Sequence, residues 1–189
     1  MMERIYQNWV YGGILAASIL LLLAPLLGWP LPALLVFLAL PIYMIHQFEE
    51  HDADRFRLFV NGMMGPSVRG LSHRAVFVIN YVGVWLFIMA AIWLVREGSP
   101  GWGALAGYLL VINAVAHIVQ GLALRKYNPG LITAIITFLP LGVAIVMTCD
   151  ASLVQHGVSL AAVIALHGAI IVHARKAAVP PPNPGATAT

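Results

Sequence analysis

Long apolar runs, separated by short polar breaks, set the pattern of the chain. Windows of about 19 residues on a hydropathy scale pick out six of them, over 9–28, 31–51, 75–95, 102–124, 131–149 and 158–174. Each approaches the ~20 residues that an α-helix needs to cross ~30 Å of hydrocarbon. The pattern predicts an all-α polytopic membrane protein, one six-helix domain over residues 1–176. The first run continues through "ILAASILLLLAPLLGW", too long for the apolar part of a cleaved signal and without a small-residue cleavage pattern, so it reads as a retained helix. "GWPLP" then reads as a tight turn, with proline opening the second helix where its missing N–H costs nothing.

Two stretches fall outside the runs. Residues 52–74 mix Arg55, Arg57, Arg69 and Arg74 with Phe, Leu, Val and Met, and break at Gly62, Gly65, Pro66 and Gly70. This suits a segment lying along the membrane interface, apolar side down, or equally a solvated basic connector. Residues 177–189, rich in proline and small residues, are expected to be extended and disordered.

Composition agrees with lipid as the solvent. The chain is 61% hydrophobic and 9% charged, with a mean hydropathy of +0.89, against roughly half apolar and a quarter charged in soluble domains. Six alternating spans place nine of the ten Lys and Arg on one side, with Arg96 alone on the other. The positive-inside rule makes that side the cytoplasm and puts both termini there. The net charge of +3 and pI near 9.3 then reflect topology and attraction to anionic lipid, and no soluble basic face is left for nucleic acid. A bacterial inner (plasma) membrane is the expected location. Cys149 is the single cysteine, which excludes an internal disulfide and a cysteine-based metal cluster.

The polar residues inside the runs carry the chemistry. "IHQFEEH", residues 45–51, ends the second run with His46, Glu49, Glu50 and His51. On a helix His46, Glu49 and Glu50 project as one cluster. The second, fourth and sixth runs each carry a histidine eight or nine residues before a basic residue: His46 before Arg55, His117 before Arg125, His167 before Arg175. Their rings would lie about 12 Å below the basic belt, so they can meet inside the bundle. Asn113 and Gln120 flank His117 on the same face. Ionisable groups in a membrane face the interior and need partners. Two adjacent carboxylates there must gain a proton or a cation, and a divalent metal supplies the charge directly.

The segments His46-Gln47-Phe48-Glu49-Glu50, His117 and Tyr127-Asn128-Pro129-Gly130 resemble the pattern of the HXXEE family of membrane proteins, with its second histidine and YxPG segment, over roughly 10–150. The resemblance implies membrane residence and a shared motif set, and assigns no activity. The order His-x-x-Glu-x also echoes the inverted zinc-peptidase motif, with Glu50 standing where that motif has its second histidine.

The sequence thus points to His46, Glu50, His117 and His167 as metal ligands, with Zn²⁺ favoured over Fe. Glu49 is the expected general base, Asn113 an orienting group or oxyanion donor, and Tyr127 a hydroxyl at the pocket rim. The leading expectation is a metal-dependent intramembrane hydrolase taking a lipid or other apolar substrate at the cytoplasmic leaflet. A non-haem iron lipid oxidase and a small proton-coupled transporter using Glu49 and Glu50 are the alternatives. Blander assignments stand beside these. Residues 49–52 read as a solvated helix end, His167 as satisfied by a helix carbonyl, and 127–130 as a turn. Thr133 and Thr137 read as bonded back to their own helix, Pro41 and Pro140 as kinks, and His73, His156 and His173 as interfacial.

Overall fold

A computed structural model of the chain describes residues 1–64 and 70–176, with side chains to Ala174. The expected interfacial Arg69 and the expected disordered tail 177–189 lie outside the described residues. The described residues form helices and no strand. We label them α1 (Met2–Leu26), α2 (Leu31–His51), α3 (Arg55–Met64), α4 (His73–Glu97), α5 (Pro100–Leu124), α6 (Leu131–Thr148) and α7 (Leu153–Lys176). All but α3 are long and apolar enough to cross a membrane.

Several helices begin earlier than hydropathy alone suggests, because polar caps start them. Ser72 Oγ accepts from Ala75 N–H at 3.1 Å and opens α4. At α7, Ser152 Oγ accepts from Gln155 N–H at 3.3 Å while Gln155 Oε1 accepts from Ser152 N–H at 2.9 Å. This reciprocal capping box extends the last helix back to Leu153.

The segment after α2 does not run on as one helix. Ala53 and Asp54 have φ of 52° and 62°, left-handed values that cost roughly 1–2 kcal/mol each for residues with a Cβ. The break is held by Arg55 on Asp52 at 3.0 Å, the Arg57–Asp54 ion pair, and Tyr11 donating to Asp52 at 2.9 Å. Phe56, Val60 and Met63 recur on one face of α3 and line a cavity. Asn61 then clamps the returning chain, accepting from Leu71 N–H at 2.7 Å and donating to its carbonyl at 3.1 Å. Part of the apolar surface expected on the membrane interface thus lines the cavity, while Leu58 and Met63 stay largely exposed.

Close packing sets the rest of the bundle. A Cβ on Gly142 would lie 2.9 Å from Gly107 O, so α5 and α6 approach backbone to backbone, as small residues allow in membranes. Both α4 and α6 contain a π-helical stretch, Val78–Trp85 and Ala134–Phe138. In the second, Leu139 N–H bonds Ala134 O, five residues back, and Pro140, which lacks an N–H, follows directly. The wider turn of a π-helix brings residues five apart back toward one face, whereas on an α-helix they diverge by about 140°. Orientation in the bilayer is testable: reporter fusions at the N-terminus and after Lys176 should read as cytoplasmic, and fusions at 28–30 and 98–101 as external. The opposite pattern would put the site described next under the other leaflet.

Candidate metal centre

Helical spacing places His46 and Glu50 one turn apart on α2, and the crossing of α5 brings His117 to them. Glu50 Oε2 lies 3.8 Å from His46 Nε2, and Glu50 Oε1 lies 3.6 Å from His117 Nε2. All three residues are buried, and one ligand atom from each lies within 4.8 Å of the others. The two imidazole rings stand edge to face, 5.0 Å apart at 79°.

The tautomers follow from the partners. His46 Nδ1 lies 2.8 Å from Thr133 Oγ1, whose own hydrogen is given to Glu49 Oε2 at 2.5 Å. The ring must therefore donate from Nδ1, leaving a lone pair on Nε2. His117 Nδ1 lies 2.7 Å from Asn128 Oδ1, and the Asn128 amide is oriented by its N–H₂ donating to His117 O at 2.9 Å. That ring also donates from Nδ1. Pinning the far nitrogen to an oxygen acceptor is the usual outer support of a metal-ligating histidine. His46 Nε2 is buried with no hydrogen-bond partner. An orphaned lone pair there is costly, and a cation would satisfy it. The donor set therefore fits a divalent metal.

Glu49 occupies a different place from Glu50. Its two oxygens accept from Tyr127 Oη at 2.8 Å, Ile132 N–H at 3.1 Å, Thr133 N–H at 2.7 Å and Thr133 Oγ1 at 2.5 Å. It caps the start of α6, where backbone N–H groups lack helical partners and a carboxylate suits the dipole. Partial burial and the Glu49 carboxylate push the Tyr127 phenol above its ordinary range, so Tyr127 stays a donor at neutral pH. Helix α2 thus grips α6 through Glu49, and Thr133 transmits that grip to His46.

Gly130 explains the last position of the YNPG segment. Its φ is +93°, and a Cβ there would lie 2.7 Å from His46 Cε1 and 2.9 Å from His117 Cε1. Tyr127 bonds Glu49, Asn128 orients His117, and Gly130 leaves the space the two rings occupy. The segment is a turn, and each of these side chains or its absence serves the centre.

Other expected residues lie around the trio. His167 Nδ1 donates to Val163 O at 2.9 Å, one turn back on its own helix; it lines the cavity and stays outside the trio. Asn113 donates to Tyr43 Oη at 3.0 Å, while its Oδ1 is buried without a partner. His51, read from sequence as part of a solvated end, is buried with Nε2 3.1 Å from Glu50 Oε2. Glu50 itself is 7% exposed, so only Glu49 and Asp52 keep the partial solvent contact expected of that end. Thr137 does bond back, to Thr133 O at 2.5 Å, but Thr133 turns to Glu49 and His46.

Thr133 and Asn128 are the residues against the two imidazoles that pattern reading missed. Asn128 had a signal, its place inside the YNPG segment. Thr133 had only its position three residues on. Thr133→Val keeps the shape and removes the acceptor of His46 Nδ1–H, and should weaken metal binding roughly 10–100-fold. Thr133→Ser should restore most of it. Full binding by Thr133→Val with weakened binding by Thr133→Ser, read by metal titration, would leave the methyl group and not the hydroxyl as the important part.

The cavity of about 350 Å³ reaches from Glu50 and His117 up between α4, α5 and α7, with α3 across its end. Gln47 fixes the neighbouring wall. It donates to Asn80 Oδ1 at 3.0 Å and accepts from Trp85 Nε1 at 2.6 Å, so both amide groups are satisfied although fully buried. Phe138 lies over His46, centroids 4.1 Å apart. Asn80 with Trp85, and Thr133 with Phe138, are pairs five residues apart, each spanning a π-helical stretch.

Residues 37–145 match the family described as "Protein of unknown function with HXXEE motif", and the match takes in His46, Glu49, Glu50, His117 and the YNPG segment. No curated protein and no solved structure matches the chain. The match covers more than half of the sequence, and the chain belongs to the HXXEE family.

Proposed function

We propose that this chain is a metal-dependent enzyme of the membrane interior, hydrolysing a lipid or other apolar substrate. The observation that carries the reading is the pair of imidazoles, each pinned through Nδ1, turning Nε2 toward one shared buried carboxylate at the end of an apolar cavity. His46, Glu50 and His117 would hold the metal, a two-histidine, one-carboxylate set that leaves a coordination position open, as catalytic zinc sites do. A metal held there would polarise a carbonyl and acidify water. Thr133 and Asn128 hold the ligand rings, and Glu49 acts through Thr133 as a positioning residue. Its four donors support that role over the general base expected from sequence. They also count against the transporter, which needs a carboxylate free to gain and lose a proton. The basic belt supports a site under the cytoplasmic leaflet, and a bacterial inner membrane is the setting we propose.

The same ligand set suits non-haem iron, which keeps a lipid oxidase as the second reading. Elemental analysis of untagged protein, purified in detergent without chelators, separates them. About one zinc per chain is expected for a single three-ligand site. Iron in that amount would transfer the reading to oxygen chemistry. Metal-free protein that also fails to take up either ion would end both.

A further inference from the structure

The cavity that ends at Glu50 and His117 has more to say about its occupant than that it is apolar. Its volume is about 350 Å³, near the lower limit of ligand pockets, which leaves room for one chain and excludes the two chains of a phospholipid. Val76, Ile79, Val84, Leu109, Leu166 and Ile170 make its walls aliphatic. No Lys or Arg is among the described residues lining it, and its one carboxylate is Glu50. Arg55 and Arg57, which flank the lining residue Phe56, are committed to Asp52 and Asp54. Among the described residues the basic groups that line it are the imidazoles of His51, His117 and His167. A phosphate head buried here would therefore meet no permanently charged partner from them, and a buried unpaired charge is far costlier than a buried hydroxyl.

The neutral polar groups at one wall are incompletely used. Tyr43 and Asn113 both line the cavity. Tyr43 Oη accepts from Asn113 Nδ2 at 3.0 Å, which leaves the phenol hydrogen to be given elsewhere. Asn113 Oδ1 is buried with no partner. Together they offer one donor and one acceptor side by side. A hydroxyl group matches both, accepting from Tyr43 and donating to Asn113, while a carbonyl would use Tyr43 alone.

We infer that the cavity binds a neutral single-chain lipid whose hydroxyl is held by Tyr43 and Asn113, with the chain along the aliphatic wall of α4 and α7. This names the substrate class for the enzyme reading and shares its cavity, but the binding itself does not depend on a metal. In the folded enzyme the hydroxyl anchors the lipid beside the His46–Glu50–His117 trio, so that a bond next to the head group is presented to it.

The test uses the full chain in detergent micelles, with native mass spectrometry to count adducts and metal analysis on the same sample. The probes are 1-dodecanol, dodecyl phosphate and a two-chain phosphatidylcholine. One dodecanol per chain is expected, bound at least roughly tenfold more tightly than dodecyl phosphate, since an unpaired buried anion loses more than a hydrogen-bonded hydroxyl. Leu166→Trp should fill the cavity and abolish the adduct. Asn113→Leu, of similar shape, should weaken dodecanol roughly tenfold and leave dodecyl phosphate unchanged; it carries the test should Leu166→Trp fail to fold. Dodecyl phosphate or phosphatidylcholine binding as tightly as dodecanol would overturn the inference. So would dodecanol binding that neither variant alters. Dodecanol bound to protein that takes up no metal would sink the enzyme reading and keep this one, while metal-loaded protein that ignores dodecanol would do the reverse.

Discussion

Gly130→Ala is expected to remove metal binding, with a loss of at least roughly 100-fold, beyond the range of a lost outer support. Two effects combine at this position. The left-handed φ of +93° strains any residue with a Cβ, and the Cβ itself would enter the space held by His46 Cε1 and His117 Cε1 at 2.7 and 2.9 Å. The rings cannot retreat freely, because Thr133 and Asn128 tie their far nitrogens at 2.8 and 2.7 Å and Phe138 covers one of them. Gly28→Ala is the control. Its φ is +60° with nothing within 4 Å of the added Cβ, so it carries backbone strain alone and should keep full metal content. Metal analysis of the two variants decides the matter. A Gly130→Ala protein that stays fully loaded would reduce the YNPG glycine to a turn residue.

His46→Ala, His117→Ala and Glu50→Gln should each release the metal, and the double histidine variant should lose no more than either single one. Residues that act as one unit are non-additive in this way. Independent, additive losses would mean two sites or none. Glu49→Gln should fall between these and the wild type. The amide keeps one acceptor oxygen of the two that now take four hydrogen bonds, leaves donors at the start of α6 unmatched, and loosens Thr133 against His46. Roughly 10–100-fold weaker metal binding is expected. Full occupancy with lost turnover would instead return Glu49 to the role of general base.

The fold was legible because lipid leaves the chain few choices: a run of apolar residues must be a helix there, and six were found where six were expected. The meeting of His46 with His117 was legible too, since equal distances from the basic belt put both at one depth. What escaped depended on partners far away in the chain. Glu49 and Glu50 sit on either side of His46 on a helical wheel, and nothing local says that one meets His117 while the other meets the start of α6. Thr133 looks like any threonine in an apolar helix, and its partner His46 is 87 positions distant. Of the two readings of His167, ligand and helix-carbonyl partner, the second is what the structure has, since its ring turns to its own backbone; depth carries no information about which way a ring faces. Residues 52–74 were legible as a mixed basic and apolar segment, but how its apolar residues divide between cavity and surface depends on a break at two left-handed residues.

The two π-helical stretches bear on how this protein can change over time. Thr133 and Phe138 both touch the ring of His46, and Asn80 and Trp85 both bond Gln47. Each pair lies five positions apart, a spacing that shares a face only with the wider π turn. Loss of a single codon between 133 and 138 would let the stretch relax to an ordinary α-helix, and would swing one of the two residues off the imidazole by about 100°. Two neighbouring residues of the HXXEE motif are thereby tied to the length of two distant stretches of chain, so an insertion or deletion within 78–85 or 133–138 is expected to cost the site one of its supports.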